Sequence, residues 1–243
     1  MRDQLRLQAD GQTGQLEAIG PTSDRRVPGC GGESWERGPY YLDGLVPLAY
    51  VLADAELQAK AQKWIEAILA GQRPDGQFGP ADDDWWPRMV ACKLLTQYAD
   101  ATGDDRVLPF LQGYFSFQHT NLADRPLHGW GKARAADNIL SVPWLHERRP
   151  ADWLFELART VLAQTQDWAG FLINHLPAGP VPTFRHLTHG PNVAMGLKTA
   201  AVAMLLDGGP AHLDETRRMY QALEDRHGLV HGVFSGAEWL GGR

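Results

Sequence analysis

Carboxylates set beside aromatic rings recur at both ends of this chain. Glu33, Glu36 and Asp43 surround Trp35 and the Tyr40-Tyr41 pair, and Glu238 stands next to Trp239. Such pairs suit work on a sugar, because a carboxyl can protonate a leaving oxygen while rings stack on the sugar face. For any one of these acids the ordinary alternative is a solvated surface charge. Asp82-Asp83-Asp84 before Trp85-Trp86 reads as a metal or sugar site, or as an acidic cap favoured by the positive end of a helix. His186 and His189 lie in a loop entering a helix, where an imidazole can donate to a ligand or to a carbonyl. Cys30 and Cys92 are far apart, with no Cys or His at zinc-finger spacing, and read as unpaired structural residues.

The elements that must position these groups are helices. Leu57, Ala61, Trp64, Ile65, Ile68 and Leu69 form one apolar stripe, and Leu154, Leu157, Ala158, Val161 and Leu162 form another. No comparable run alternates with period two, so strands are at most short accessories. Four helical patterns turn back on a second one: 41–53 into 55–72, 86–101 into 105–118, 138–147 into 152–166, and 192–206 into 211–226. Their turns repeat at roughly 50 residues, which predicts αα-hairpins stacked side by side. The expected fold is all-α, a single domain over 1–243 built as an α/α toroid, with the long loops 73–84, 121–133 and 173–191 carrying a binding cleft. Four hairpins make an open arc where a closed toroid uses about six.

Composition narrows the partners. The 243 residues carry 23 Lys and Arg against 29 Asp and Glu, a net charge of −6, which supplies no basic field for nucleic acid or an anionic membrane. The longest apolar stretches, near 44–53 and 199–206, are too short to span a bilayer. The first residues show no signal peptide, which places the protein in the cytoplasm if Met1 is the true start. Nine Trp, nine His and six Tyr are many for this length, and each Trp needs a core or a stacking partner.

Longer runs carry a family resemblance. Residues 35–49, WERGPYYLDGLVPLA, resemble the first hairpin of glycoside hydrolase family 127, the β-L-arabinofuranosidase-like family. In family order follow 72–80 (QRPDGQFGP), 85–88 (WWPR), 101–104 (ATGD), 130–145 (WGKARAADNILSVPWL), 189–198 (HGPNVAMGLK) and 234–241 (FSGAEWLG). Residues 72–79 also resemble the glutamine-and-aromatic turn repeat of terpene cyclases, but that repeat occurs once here.

The resemblance implies a retaining glycosidase acting on plant-derived L-arabinofuranosides or related sugars, with a glutamate as general acid/base and a zinc-held cysteine thiolate as nucleophile. It places the acid/base at Glu238 and a sugar-lining histidine at His189. Asp43, Trp86, Asp137 and Asn192 fall in motifs implied to face the same rim. Two departures stand out. Ala237 replaces an Asp common in relatives, and the family's zinc-binding Glu and Cys residues follow the Glu238 motif beyond Arg243. Neither Cys30 nor Cys92 matches them. The expectation is therefore a partial catalytic domain, inactive alone, with apolar surface left open along Leu213, Tyr220 and Leu223 or on the facing side of 200–206. The alternative from another class is a catalytically silent carbohydrate-binding module of the same fold.

Overall fold

The computed structural model describes residues 1–19, 36–80, 84–234 and 238–242. Helix dominates among them, in the order α1 (Arg2–Asp10), α2 (Gln12–Ile19), α3 (Arg37–Leu52), α4 (Ala55–Ala70), α5 (Trp86–Thr102), α6 (Val107–Asn121), α7 (Gly129–Arg134), α8 (Ala136–Arg148), α9 (Asp152–Gln164), α10 (Trp168–Gly170), a π-helical turn Phe171–His175, α11 (Gly190–Gly196), α12 (Thr199–Asp207) and α13 (Ala211–His227). The protein is all-α: extended pairing among the described residues is confined to two isolated bridges, His189 with Trp239 and Gly228 with Phe234. No described helix is long and apolar enough to cross a membrane.

The four helix pairs lie where the periodicity placed them. In the first, Ala53 takes the left-handed conformation and Asp54 caps α4, its carboxylate accepting from the backbone N–H groups of Glu56 and Leu57 at 3.1 Å. The α4 stripe of Leu57, Ala61, Trp64, Ile65 and Ile68 is buried as its spacing requires. The fourth pair departs from expectation, because its first run is two helices, α11 and α12, broken at Leu197 and Lys198. Of the apolar residues expected to be open on this pair, Leu213 and Tyr220 are exposed, as is Leu205 in the 200–206 run, while Leu223 is buried with Met219.

The chain folds into two compact units, Met1–Arg125 with Trp144–Leu157, and Pro126–Pro143 with Ala158–Arg243. In the first, α3 packs on α4 and α5, α1 and α2 lie on α3, and α6 lies on α5. Its 72–80 connection is a buried plug. Gln72 Nε2 donates to the carbonyls of Gly76 and Phe110, and the Phe78 ring sits 4.9 Å from Phe110 and 5.0 Å from Tyr114. The buried Arg88 closes it by donating to the carbonyls of Phe78, Pro80 and Asp84.

In the second unit, Trp168, Leu172, Val193, Met219 and Leu240 form the core, with Trp168 Nε1 donating to the Ala133 carbonyl at 2.9 Å. Gly196 lies so close under the Trp168 ring that a Cβ there would fall 2.3 Å from it.

The second hairpin turn generates a pH prediction. Asp104 accepts from the guanidinium and backbone N–H of Arg106 and from Tyr98 Oη, and its side chain is 14% exposed. The Arg106 bonds hold its carboxyl down from 3.8 to about 2. A folded value below the unfolded one adds stability that is complete above 3.8 and lost as pH falls toward about 2. Asp104→Asn is expected to cost about 1–2 kcal/mol in urea unfolding at neutral pH and only a small part of that near pH 2, where the wild-type carboxylate is about half protonated. An equal cost at both pH values would assign the loss to something other than this charge.

Candidate functional site

The residues implied by the resemblance divide between the units. In the first, Asp43 on α3 binds Lys93 Nζ at 2.8 Å and Gln97 Nε2 at 2.7 Å, both from α5. Its two oxygens fasten α3 to α5. Trp86 corrects an expectation. It is fully buried, its Nε1 donates to the Glu36 carboxylate, and Tyr40 covers it at 5.8 Å. The first turn of α5 points inward, so Trp86 is a core residue and offers no ring face to a sugar. Asp84 takes the capping role, accepting from the Trp86 N–H at 3.0 Å. Asp82, Asp83, Glu33, Trp35 and Cys30 lie outside the described residues.

The second unit brings Glu238 and His189 together. Gly190 N–H donates to the Glu238 carbonyl at 2.8 Å and Leu240 N–H to the Thr188 carbonyl at 3.0 Å, so residues 238–240 lie antiparallel beside 188–190. This sets Glu238 Oε1 4.0 Å from His189 Nε2, with the carboxylate 67% exposed and the imidazole 7%. His189 Nδ1 is buried without a described partner. A buried N–H costs more to leave unpaired than a lone pair does, so we assign the proton to Nε2, where it faces Glu238.

Rings wall this pair. Phe184 stands 5.5 Å from His189 and 6.4 Å from Trp239, and Trp130 lies 5.6 Å from Phe184 and 5.2 Å from His189. Phe184 is 40% exposed, which leaves an apolar face open beside the carboxylate. Behind it, the buried Arg134 guanidinium sits 4.4 Å over Trp130, and its Nε donates to Asn192 Oδ1 at 2.7 Å. Asn192 Nδ2 in turn donates to the His186 carbonyl at 2.9 Å. Burial first, then the Arg134 guanidinium, hold His186 below the usual histidine range, favouring its neutral form.

The expected sugar contacts of Asn192 and Asp137 are corrected here as well. Both ends of the Asn192 amide are bonded within the protein, so it shapes the loop that holds His189. Asp137 is buried, with Oδ1 held by Lys198 Nζ at 2.7 Å and Oδ2 enclosed without a described partner. Phe184 and Arg134 were not singled out from the sequence. Phe184 stands in an irregular Pro-rich loop, and Arg134 lies inside the 130–145 motif with nothing local to mark its burial.

Zinc finds no fitting donor set among the described residues. No three His, Cys, Asp or Glu side chains converge to hold it, and Cys92 is fully buried in α5, where burial pushes its thiol well above the ordinary range. No chemical step is derived through zinc.

Asn192 carries the prediction of this site. Asn192→Leu keeps the bulk but removes the acceptor of Arg134 Nε and the donor to the His186 carbonyl, and is expected to lower stability by about 1–3 kcal/mol in urea. A loss under about 0.5 kcal/mol, the usual scatter for a surface change, would show that the network is not a support.

No family model matches the sequence, and no curated protein matches it.

Proposed function

We propose that this chain carries the sugar-holding wall and the general acid/base of a retaining glycoside hydrolase resembling family 127, built as stacked αα-hairpins of an α/α toroid and acting on L-arabinofuranosides or related plant sugars. The observation that carries the reading is the Glu238–His189 pair beside the Phe184, Trp130 and Trp239 rings. In the proposed step the Glu238 carboxylic acid gives its proton to the glycosidic oxygen as the bond to the anomeric carbon breaks. As carboxylate it later takes a proton from the water that releases the sugar. Apolar faces of the sugar rest on Phe184 and Trp239, while His189 Nε2–H bonds a hydroxyl or the carboxylate. The partner nucleophile of double displacement has no counterpart in the motifs of this chain, so binding is expected without efficient cleavage.

The test is titration of methyl β-L-arabinofuranoside, followed by the indole N–H signals in NMR. Trp239→Ala or Phe184→Ala is expected to weaken binding about tenfold or more, the worth of a stacked ring, whereas Glu238→Gln keeps affinity within a few fold. An aryl β-L-arabinofuranoside is expected to release no phenol above background, with or without added zinc. Absence of sugar binding at tens of millimolar would overturn the reading, and zinc-dependent turnover would overturn the division of parts.

A further inference from the structure

The segment that bears Glu238 is held at its far end by a residue with no contact to the aromatic wall. Leu240 is buried in the core of the second unit, and its carbonyl accepts from Val181 N–H at 3.0 Å. Beyond it, the Gly242 N–H donates to Nδ1 of His227 at 3.1 Å, while His227 Nε2 meets the Pro177 carbonyl at 2.7 Å. A carbonyl can only accept and an amide N–H can only donate. His227 is therefore the neutral tautomer with its proton on Nε2 and its lone pair on Nδ1. The imidazole has no exposure, so water cannot replace either bond. Gly242 fits this latch with φ +76°, where a Cβ would stand 3.1 Å from Pro180.

The geometry points to His227 as a positioning residue for Glu238 and as the pH latch of the strap 238–242. A proton added to Nδ1 turns its acceptor into a donor facing the donor of Gly242. That bond cannot survive, and the strap loses the hydrogen bond that ties Gly242 to α13 while its pairing with 188–190 and Val181 remains. Glu238 is then held beside His189 with the far end of its strap no longer anchored to α13. The assignment of a chemical role to Glu238 rests on the function proposed above, whereas the latch itself does not.

The charges around His227 set where the latch opens. Burial is the main influence holding it below the ordinary 6.5, the Pro177 bond opposes this, and the neighbouring Arg226 cation lowers it further. Glu224 lies one turn back on α13, His175 precedes the Pro177 turn, and the strap brings Glu238, which faces His189. Release therefore belongs on the acid side of 6.5.

The experiment follows amide hydrogen-exchange protection of Leu240 and Gly242 by NMR, corrected for intrinsic rates, between about pH 8 and pH 5. Protection is expected to fall about tenfold at both residues as pH drops, with no matching change in the α4 amides. His227→Gln, which can donate and accept but does not titrate, is expected to keep the strap protected across the range. His227→Leu is expected to lose protection at every pH. Methyl β-L-arabinofuranoside affinity, measured in parallel, is expected to follow protection in the wild type and to become flat with pH in His227→Gln. An acid transition that persists in His227→Gln, or strap amides indifferent to pH in the wild type, would overturn the latch. Strap release without any sugar binding would leave the latch standing and sink the sugar reading.

Discussion

A buried guanidinium shapes the second unit. Enclosing the Arg134 charge at 4% exposure costs several kcal/mol unless dipoles and rings replace its water. The Trp130 face and the Asn192 carbonyl oxygen are two of those replacements. Each commitment constrains another element. Trp130 is on α7 with Arg134, Asn192 is on α11, and the Asn192 amide reaches back to the His186 carbonyl. One charge thus fixes the approach of α7 to α11 and the course of the loop that delivers His189. The same charge contributes to keeping His186 neutral, so the wall stays free of a second cation.

The helix pairs were legible because their apolar stripes have a single period and their turns hold the residues that stop helices. Short helices were not. In α1, Leu5, Leu7 and Ala9 alternate with period two, so no helical stripe can be read from them. Helix α7 begins Gly129-Trp130-Gly131, a run that propensity assigns to a loop, and its contacts with α11 outweigh that local cost. Beside the break between α11 and α12, Gly196 lies under the ring of Trp168, nearly thirty residues earlier in the chain. No periodicity within 192–206 encodes that meeting.

The candidate site was legible in its residue types but not in its assembly. The family resemblance pointed to Glu238 and His189, yet what joins them is a bridge one residue long, too short to leave an alternating pattern. Burial separated the remaining candidates. Asp43, Asp137 and Asn192 are polar residues whose bonds are to other protein groups, and sequence alone cannot distinguish a carboxylate aimed at a ligand from one aimed at a lysine. His227 carried no sequence signal because its role depends on two backbone groups, Pro177 and Gly242, that any residue type could have supplied.

Exposure sets a further condition on the proposed chemistry. A general acid working near neutral pH needs its carboxyl raised toward that range, and desolvation is the usual means. The Glu238 side chain is 67% exposed, so the protein alone leaves it well hydrated. The sugar itself must then exclude water, by covering the carboxyl as it settles on Phe184 and Trp239. On the proposed reading, binding and exclusion of water become one event, because the ligand itself supplies the cover over the carboxyl. The strap serves this arrangement by fixing the backbone of Glu238 through hydrogen bonds while leaving its side chain free to be covered.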